Sequence, residues 1–142
     1  MILLDANLLL YAYFEASPQH RRARSWLEET LAGPEPVALS WPVILAFLPI
    51  GTNPRAMQPA LSLDAATDIV GSWLACRNVT LAAPGEGHWD VMREVMASGQ
   101  AAGALVSDAH WAALAIEHGA LLCSSHRDFS RFPGLRWVNP LA

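Results

Sequence analysis

The chain has no lysine: its nine basic residues are all arginine, and thirteen acids outnumber them, giving a formal net charge of −4. That balance excludes a uniformly basic nucleic-acid binder, although it leaves room for a local basic patch. Arginine is also the side chain suited to bidentate phosphate contacts. Cysteine is scarce. Cys76 and Cys123 are the two present, both in apolar surroundings and without metal-ligand spacing, so reduced buried thiols are expected rather than a disulfide or a zinc site. No run approaches the roughly 18 uninterrupted apolar residues of a membrane span. Asp5 precedes any basic lead of a signal peptide, so the expectation is a cytoplasmic chain with no membrane association. Repeats and low-complexity segments are absent. Charged residues reach only 15% against 53% hydrophobic, which leaves little for a disordered tail and implies a compact, core-rich protein. A chain of 142 residues fits a single domain, 1–142, that buries about two thirds of its unfolded surface. With so little charge, some apolar surface must remain exposed, and the commonest reason for it is a partner, either a second copy or a different chain.

Strands and helices alternate along the sequence. Residues 1–5 read as a strand, and Asn7 to about Glu15 as a short helix. Ser17-Pro18 is expected to start another, with Ser17 as N-cap and Pro18 at the first helical position. That helix presents Arg21, Arg22 and Arg24 outward and Trp26, Leu27 and Leu31 inward, and Gly33-Pro34 ends it. Residues 36–40 form a second short strand. An apolar helix follows from Trp41 to about Ile50, with a kink expected at Pro49, which lacks a backbone donor. Helical spacing returns over 63–76, a third strand covers 79–81, and a helix runs over about 88–97. The small-residue loop 99–103 precedes a helix containing Asp108. Residues 120–123 and 135–138 complete the strands. This alternation implies a three-layer α/β/α domain with a short, mainly parallel sheet and right-handed crossovers.

Ligands in parallel sheets bind beyond the carboxyl ends of the strands, and polar groups gather there. Asp5 and Asn7 follow the first strand, Ser40 the second, and Ser124 to Asp128 the fourth; Ser107-Asp108 sits near a helix start. Asp5, Asp108 and Asp128 can each be read as helix or turn caps. Capping does not explain why all three come to one sheet edge, whereas a divalent-metal site does. Gly85-Glu86-Gly87 and the loop 99–103 are not phosphate loops, because neither has the required glycine spacing and lysine after a strand. His20, His88, His110 and His118 show no metal-ligand pairing, and the helical geometry points His110 away from Asp108. Trp26, Trp73 and Trp137 have core spacing, while Trp41 and Trp111 neighbour the proposed site.

Three stretches together form a recognisable pattern: Ile2-Leu3-Leu4-Asp5-Ala6-Asn7, the run from Ser107-Asp108-Ala109-His110-Trp111 to Ala115, and Ser124-Ser125-His126-Arg127-Asp128-Phe129. The chain resembles PIN-domain ribonucleases over nearly its whole length, specifically the VapC-like toxins of bacterial toxin–antitoxin pairs. Ser40-Trp41-Pro42-Val43, Thr52-Asn53-Pro54 and Phe132-Pro133-Gly134-Leu135-Arg136-Trp137 match one subgroup of them. The resemblance implies a magnesium- or manganese-dependent endoribonuclease, with Asp5 and Asp108 as the main metal carboxylates and Asp128 as a third. Asn7, Ser124 and His126 would support the site, and Arg127, Arg131 and Arg136 would hold the RNA backbone. It also implies an antitoxin partner, whose C-terminal segment fills an apolar groove beside the site, and a homodimer.

Two positions depart from the family's pattern. Ala46 stands where many members carry a glutamate, and His126 stands where an aspartate is common. A sparser acid cluster favours one metal over two and motivates an alternative, a PIN-like protein that binds RNA or antitoxin without efficient cleavage. A phosphatase that opens on a strand and an aspartate is disfavoured, because it would need a second aspartate where this chain has Asn7.

Overall fold

The computed structural model describes all of residues 1–142. Its first strand, β1 (Ile2–Leu4), is central because neither face of it can meet water: Leu3 and Leu4 are both buried, on opposite sides of the sheet. The other strands are β2 (Val37–Leu39), β3 (Val79–Leu81), β4 (Leu121–Cys123) and β5 (Trp137–Val138). They join β1 in the order β3-β2-β1-β4-β5, and every pairing is parallel. The sheet is thus wholly parallel, where the sequence implied mainly parallel.

Helices α1 (Ala6–Tyr13), α2 (His20–Ala32), α3 (Trp41–Gly51) and α4 (Leu63–Leu74) send Leu8, Leu27, Phe47 and Trp73 into one core. Tyr13, Phe47 and Trp73 form its aromatic centre, with the Phe47 and Trp73 rings 4.7 Å apart and edge-on. On the opposite face, α5 (His88–Gly99) and α6 (Leu105–Glu117) build a second core with Phe129 and Phe132. The buried face of α6 is mostly alanine: Ala109, Ala112, Ala113 and Ala115 are all fully enclosed. Gly99 ends α5 where Phe132 packs so closely that a Cβ would lie 2.5 Å from its ring. The result is the expected three-layer α/β/α arrangement.

Strand order positions the site. The chain steps outward from β1 to β2 and β3, then crosses the other face and returns to β4 on the far side of β1. The reversal makes the gap between the carboxyl ends of β1 and β4 a topological switch point, the place where open α/β sheets hold ligands.

Several local expectations needed correction. Ser17 does not cap α2: its hydroxyl accepts from the Gln19 amide in a turn, and the helix begins at His20 with Gln19 as N-cap. Helix α3 runs one residue past its expected end, to Gly51, with Pro49 inside its last turn. Asp108 lies inside the first turn of α6, which begins three residues earlier. Both cysteines are free as expected, Cys123 buried and Cys76 partly so, and burial pushes the Cys123 thiol up to about 11. No helix is long and apolar enough to cross a membrane.

Candidate active site

Asp5 leaves β1 in extended conformation and becomes the N-cap of α1, its Oδ1 accepting from the Ala6 amide at 2.8 Å. Its other oxygen, Oδ2, accepts from the Ser124 hydroxyl at 2.6 Å. Ser124 follows β4 directly, so this bond spans the switch point between the two central strands. The Ser124 oxygen also accepts from the His126 amide at 3.0 Å, and its carbonyl accepts from the Trp137 indole at 2.9 Å. Both Asp5 and Ser124 are almost wholly enclosed, at 3% and 0% exposure. Burial raises the Asp5 carboxyl above its ordinary value, opposed by the bonds from Ser124 and Ala6 and by the nearby His126. Asp5 therefore caps α1 with one oxygen and meets Ser124 across the two central strands with the other.

Asp108 reaches the same edge from α6. Its carboxyl is also raised, first by burial, with further upward pressure from the charges of Asp5 and Asp128 and opposition from His126 and Arg131. Mutual repulsion of this kind requires the three acids to converge. Asp108, His126 and Asp128 can bring one donor atom each within 4.8 Å of the others. His126 Nδ1 lies 3.5 Å from Asp128 Oδ2, and both side chains are about half exposed. Asp128 sits in a short 3₁₀ turn, Arg127–Arg131, whose Phe129 anchors it in the core beneath. Asn7 lies in the first turn of α1, half-buried. This set of carboxylate oxygens with one imidazole fits a hard or borderline divalent cation. The buried, already bonded Asp5 forms its floor, and Asp108, His126 and Asp128 its open side.

The basic residues separate. Arg127 and Arg131 flank the acids, and Arg131 also donates to the Gln100 carbonyl at 3.4 Å. Arg136 does not join them. It precedes β5 at the amino end of the sheet and donates to the Gly119 carbonyl at 2.7 Å, because parallel pairing of β4 with β5 sends both segments to that edge. On α2, Arg24 bonds Glu28 and lies over the Tyr13 ring, while Arg22 holds the Leu141 carbonyl.

Ala46 lines an apolar cleft of about 570 Å³ with Pro42, Leu45, Met92, Val106, Ser107, His110 and Trp111, of which Ser107 directly precedes Asp108 on α6. Trp41 and Leu45 stand exposed on the same helix. Trp26 and Trp137 are partly buried and Trp73 fully so, but the Trp137 indole contributes a contact to the site, not packing alone. No spacing rule reveals that contact, because it depends on the pairing of β4 with β5. A second polar group also escaped the sequence. His88 Nδ1 pairs with Glu117, His88 Nε2 with His110 Nδ1 at 2.9 Å, and Glu117 also accepts from the Gly85 amide. His110 and Glu117 stand seven residues apart on α6, two turns along one face, and that was the signal available.

The PIN-domain family matches residues 2–135 of this sequence. The chain belongs to the PIN-domain family. Within it, the chain is 38% identical over 141 residues to Ribonuclease VapC33 of Mycobacterium tuberculosis (99% of each chain) and 37% identical over 142 residues to Ribonuclease VapC37 of the same species (100% of this chain, 99% of the other). Solved structures share the fold. VapBC-1 from nontypeable Haemophilus influenzae superposes with a TM-score of 0.68 at 16% identity, covering 100% of both chains. VapBC2 from Rickettsia felis, bound to a DNA fragment from its promoter, gives 0.66 at 19%, covering 98% of both. The acids of this PIN domain gather at its β1/β4 switch point.

Proposed function

We propose that this single-domain chain is a divalent-metal-dependent endoribonuclease acting as the toxin of a toxin–antitoxin pair. The observation that carries the reading is the convergence of Asp5, Asp108 and Asp128 on the β1/β4 switch point of a PIN domain whose relatives are named VapC ribonucleases. Asp108 and Asp128 would hold magnesium or manganese, with Asp5 contributing a remaining lone pair from below. When bound, such a cation polarises a phosphodiester and makes a water easier to deprotonate. The chain's own groups do the rest. Ser124 fixes the Asp5 carboxylate through its hydroxyl and is itself held by Trp137. Asn7 supplies a polar edge. Arg127 and Arg131 bind backbone phosphates on either side of the cut, and the attraction falls as salt rises. Arg136, tied down at the other end of the sheet, has no part in that contact.

The apolar cleft over Ala46 suits an apolar segment of the antitoxin, and the exposed Trp41 and Leu45 add surface for that partner or for a second copy in a homodimer. Action in the cytoplasm follows from an RNA substrate. The test is digestion of a mixed RNA substrate by the purified chain with manganese, with EDTA, and with Asp5→Asn in place of the native chain. Cleavage in manganese alone supports the reading. Cleavage that survives both EDTA and Asp5→Asn removes it in favour of a contaminating or metal-free nuclease, and no cleavage under any condition leaves the chain a PIN-like binding protein.

A further inference from the structure

His126 distinguishes this site from an all-oxygen one. Its backbone amide donates to the Ser124 oxygen that also bonds Asp5, so the residue is fixed at the mouth of the acid cluster. A nitrogen of its ring, an oxygen of Asp108 and an oxygen of Asp128 come within 4.8 Å of one another, and its Nδ1 already lies 3.5 Å from Asp128. The ring is about half exposed, so it can turn towards a cation without disturbing the core. Ala46 and the rest of α3 carry no carboxylate that could add an oxygen donor.

Donor type sets metal preference. Magnesium keeps its waters and takes carboxylate or phosphate oxygen; imidazole is foremost a donor to zinc, copper, iron and nickel, and manganese, though oxygen-preferring, belongs to the same first-row series and accepts one such nitrogen more readily than magnesium does. We propose that His126 is a direct metal ligand and the residue that sets metal choice, favouring manganese over magnesium at this site. The inference rests on the ribonuclease reading and names the cofactor of that same site. A purely structural role is the competing account: the ring would pair with Asp128 at the surface, and metal choice would not depend on it.

Electron spin-echo spectroscopy of the manganese-loaded chain separates the two. A directly bonded imidazole gives nitrogen-14 modulation, which should be present in the native chain and absent in His126→Asp. Calorimetric titration with manganese and with magnesium gives the second readout. The ratio of the two dissociation constants should narrow about tenfold in His126→Asp, which restores an oxygen donor. His126→Gln, neutral and of similar size, should weaken manganese more than magnesium. Manganese bound without nitrogen modulation, or an unchanged ratio, overturns the role of His126 and leaves the ribonuclease reading standing. No binding of either ion to the native chain overturns both.

Discussion

Helix α6 carries two clusters of ionisable groups, and they behave in opposite ways. In the Glu117–His88–His110 group the carboxylate is matched by a hydrogen-bonded imidazole, which in turn meets a second one, and both His88 and Glu117 are more than four-fifths buried. Each group there has its partner within the protein. At the other cluster, burial raises the Asp108 carboxyl first, the charges of Asp5 and Asp128 add to that, and His126 and Arg131 only oppose it. That arrangement is unfavourable without a ligand and explicable with one. The first cluster ties α5 to α6; the second is the proposed metal site. The contrast shows that a group of acids and histidines is informative through how its charges are balanced, not through how many gather.

Substitutions should break the contrast in opposite senses. The largest effect is expected at Asp108→Asn, where removing a proposed metal carboxylate should cost about 3 kcal/mol of transition-state stabilisation or more, a fall in RNA cleavage of ~100-fold or greater, with the circular dichroism spectrum unchanged. Ser124→Ala removes both the donor to Asp5 and the acceptor for the His126 amide. Cleavage should fall by roughly 10- to 100-fold, measured in the same assay. Glu117→Ala should do the reverse. Chemical denaturation should report a loss of roughly 1–3 kcal/mol, from the imidazole and amide left without an acceptor, while cleavage stays within about twofold. If Glu117→Ala abolished cleavage while remaining folded, the two clusters would not be separable.

The pH dependence of stability sharpens the same contrast. Burial lowers His110 from its ordinary 6.5, with the neighbouring His88 acting in the same direction and Glu117 opposing. The unfolded chain then takes up its proton first, so this contribution is complete above 6.5 and is lost as pH falls from there through the lower folded value. Asp108 has the opposite sign. Its folded carboxyl is raised above 3.8, so its contribution is complete below that value and lost as pH rises through the folded one. At neutral pH without metal it therefore costs stability. Asp108→Asn should raise the thermal midpoint in EDTA by ~1–3 °C, a small effect because the side chain remains partly solvated.

Much of this was legible in the residues. The apolar run ending at Asp5 gave a central strand and a site at its carboxyl end, and the strand–helix alternation gave the three layers. The acids were legible through the motifs that carried the family resemblance. What periodicity could not supply was pairing across the sheet. Arg136 reads as a neighbour of Arg127 and Arg131 along the chain, yet the parallel addition of β5 sends it to the opposite edge. The same pairing brings the Trp137 indole to the Ser124 carbonyl, making a residue with core spacing a support for the site. Ser17 failed as a cap because a serine–proline pair can close a turn as readily as it can open a helix, and here the Gln19 amide took its oxygen.

The proposed site holds Asp108 in a partly buried place beside Asp5 and Asp128, a cost that a divalent cation would relieve. Thermal unfolding of the native chain and of Asp108→Asn, each with EDTA and with millimolar manganese, tests that relief most directly. A ligand that binds only the folded state raises the midpoint. The account predicts a clear rise for the native chain and almost none for Asp108→Asn. An equal rise in both, or none in the native chain, would contradict it.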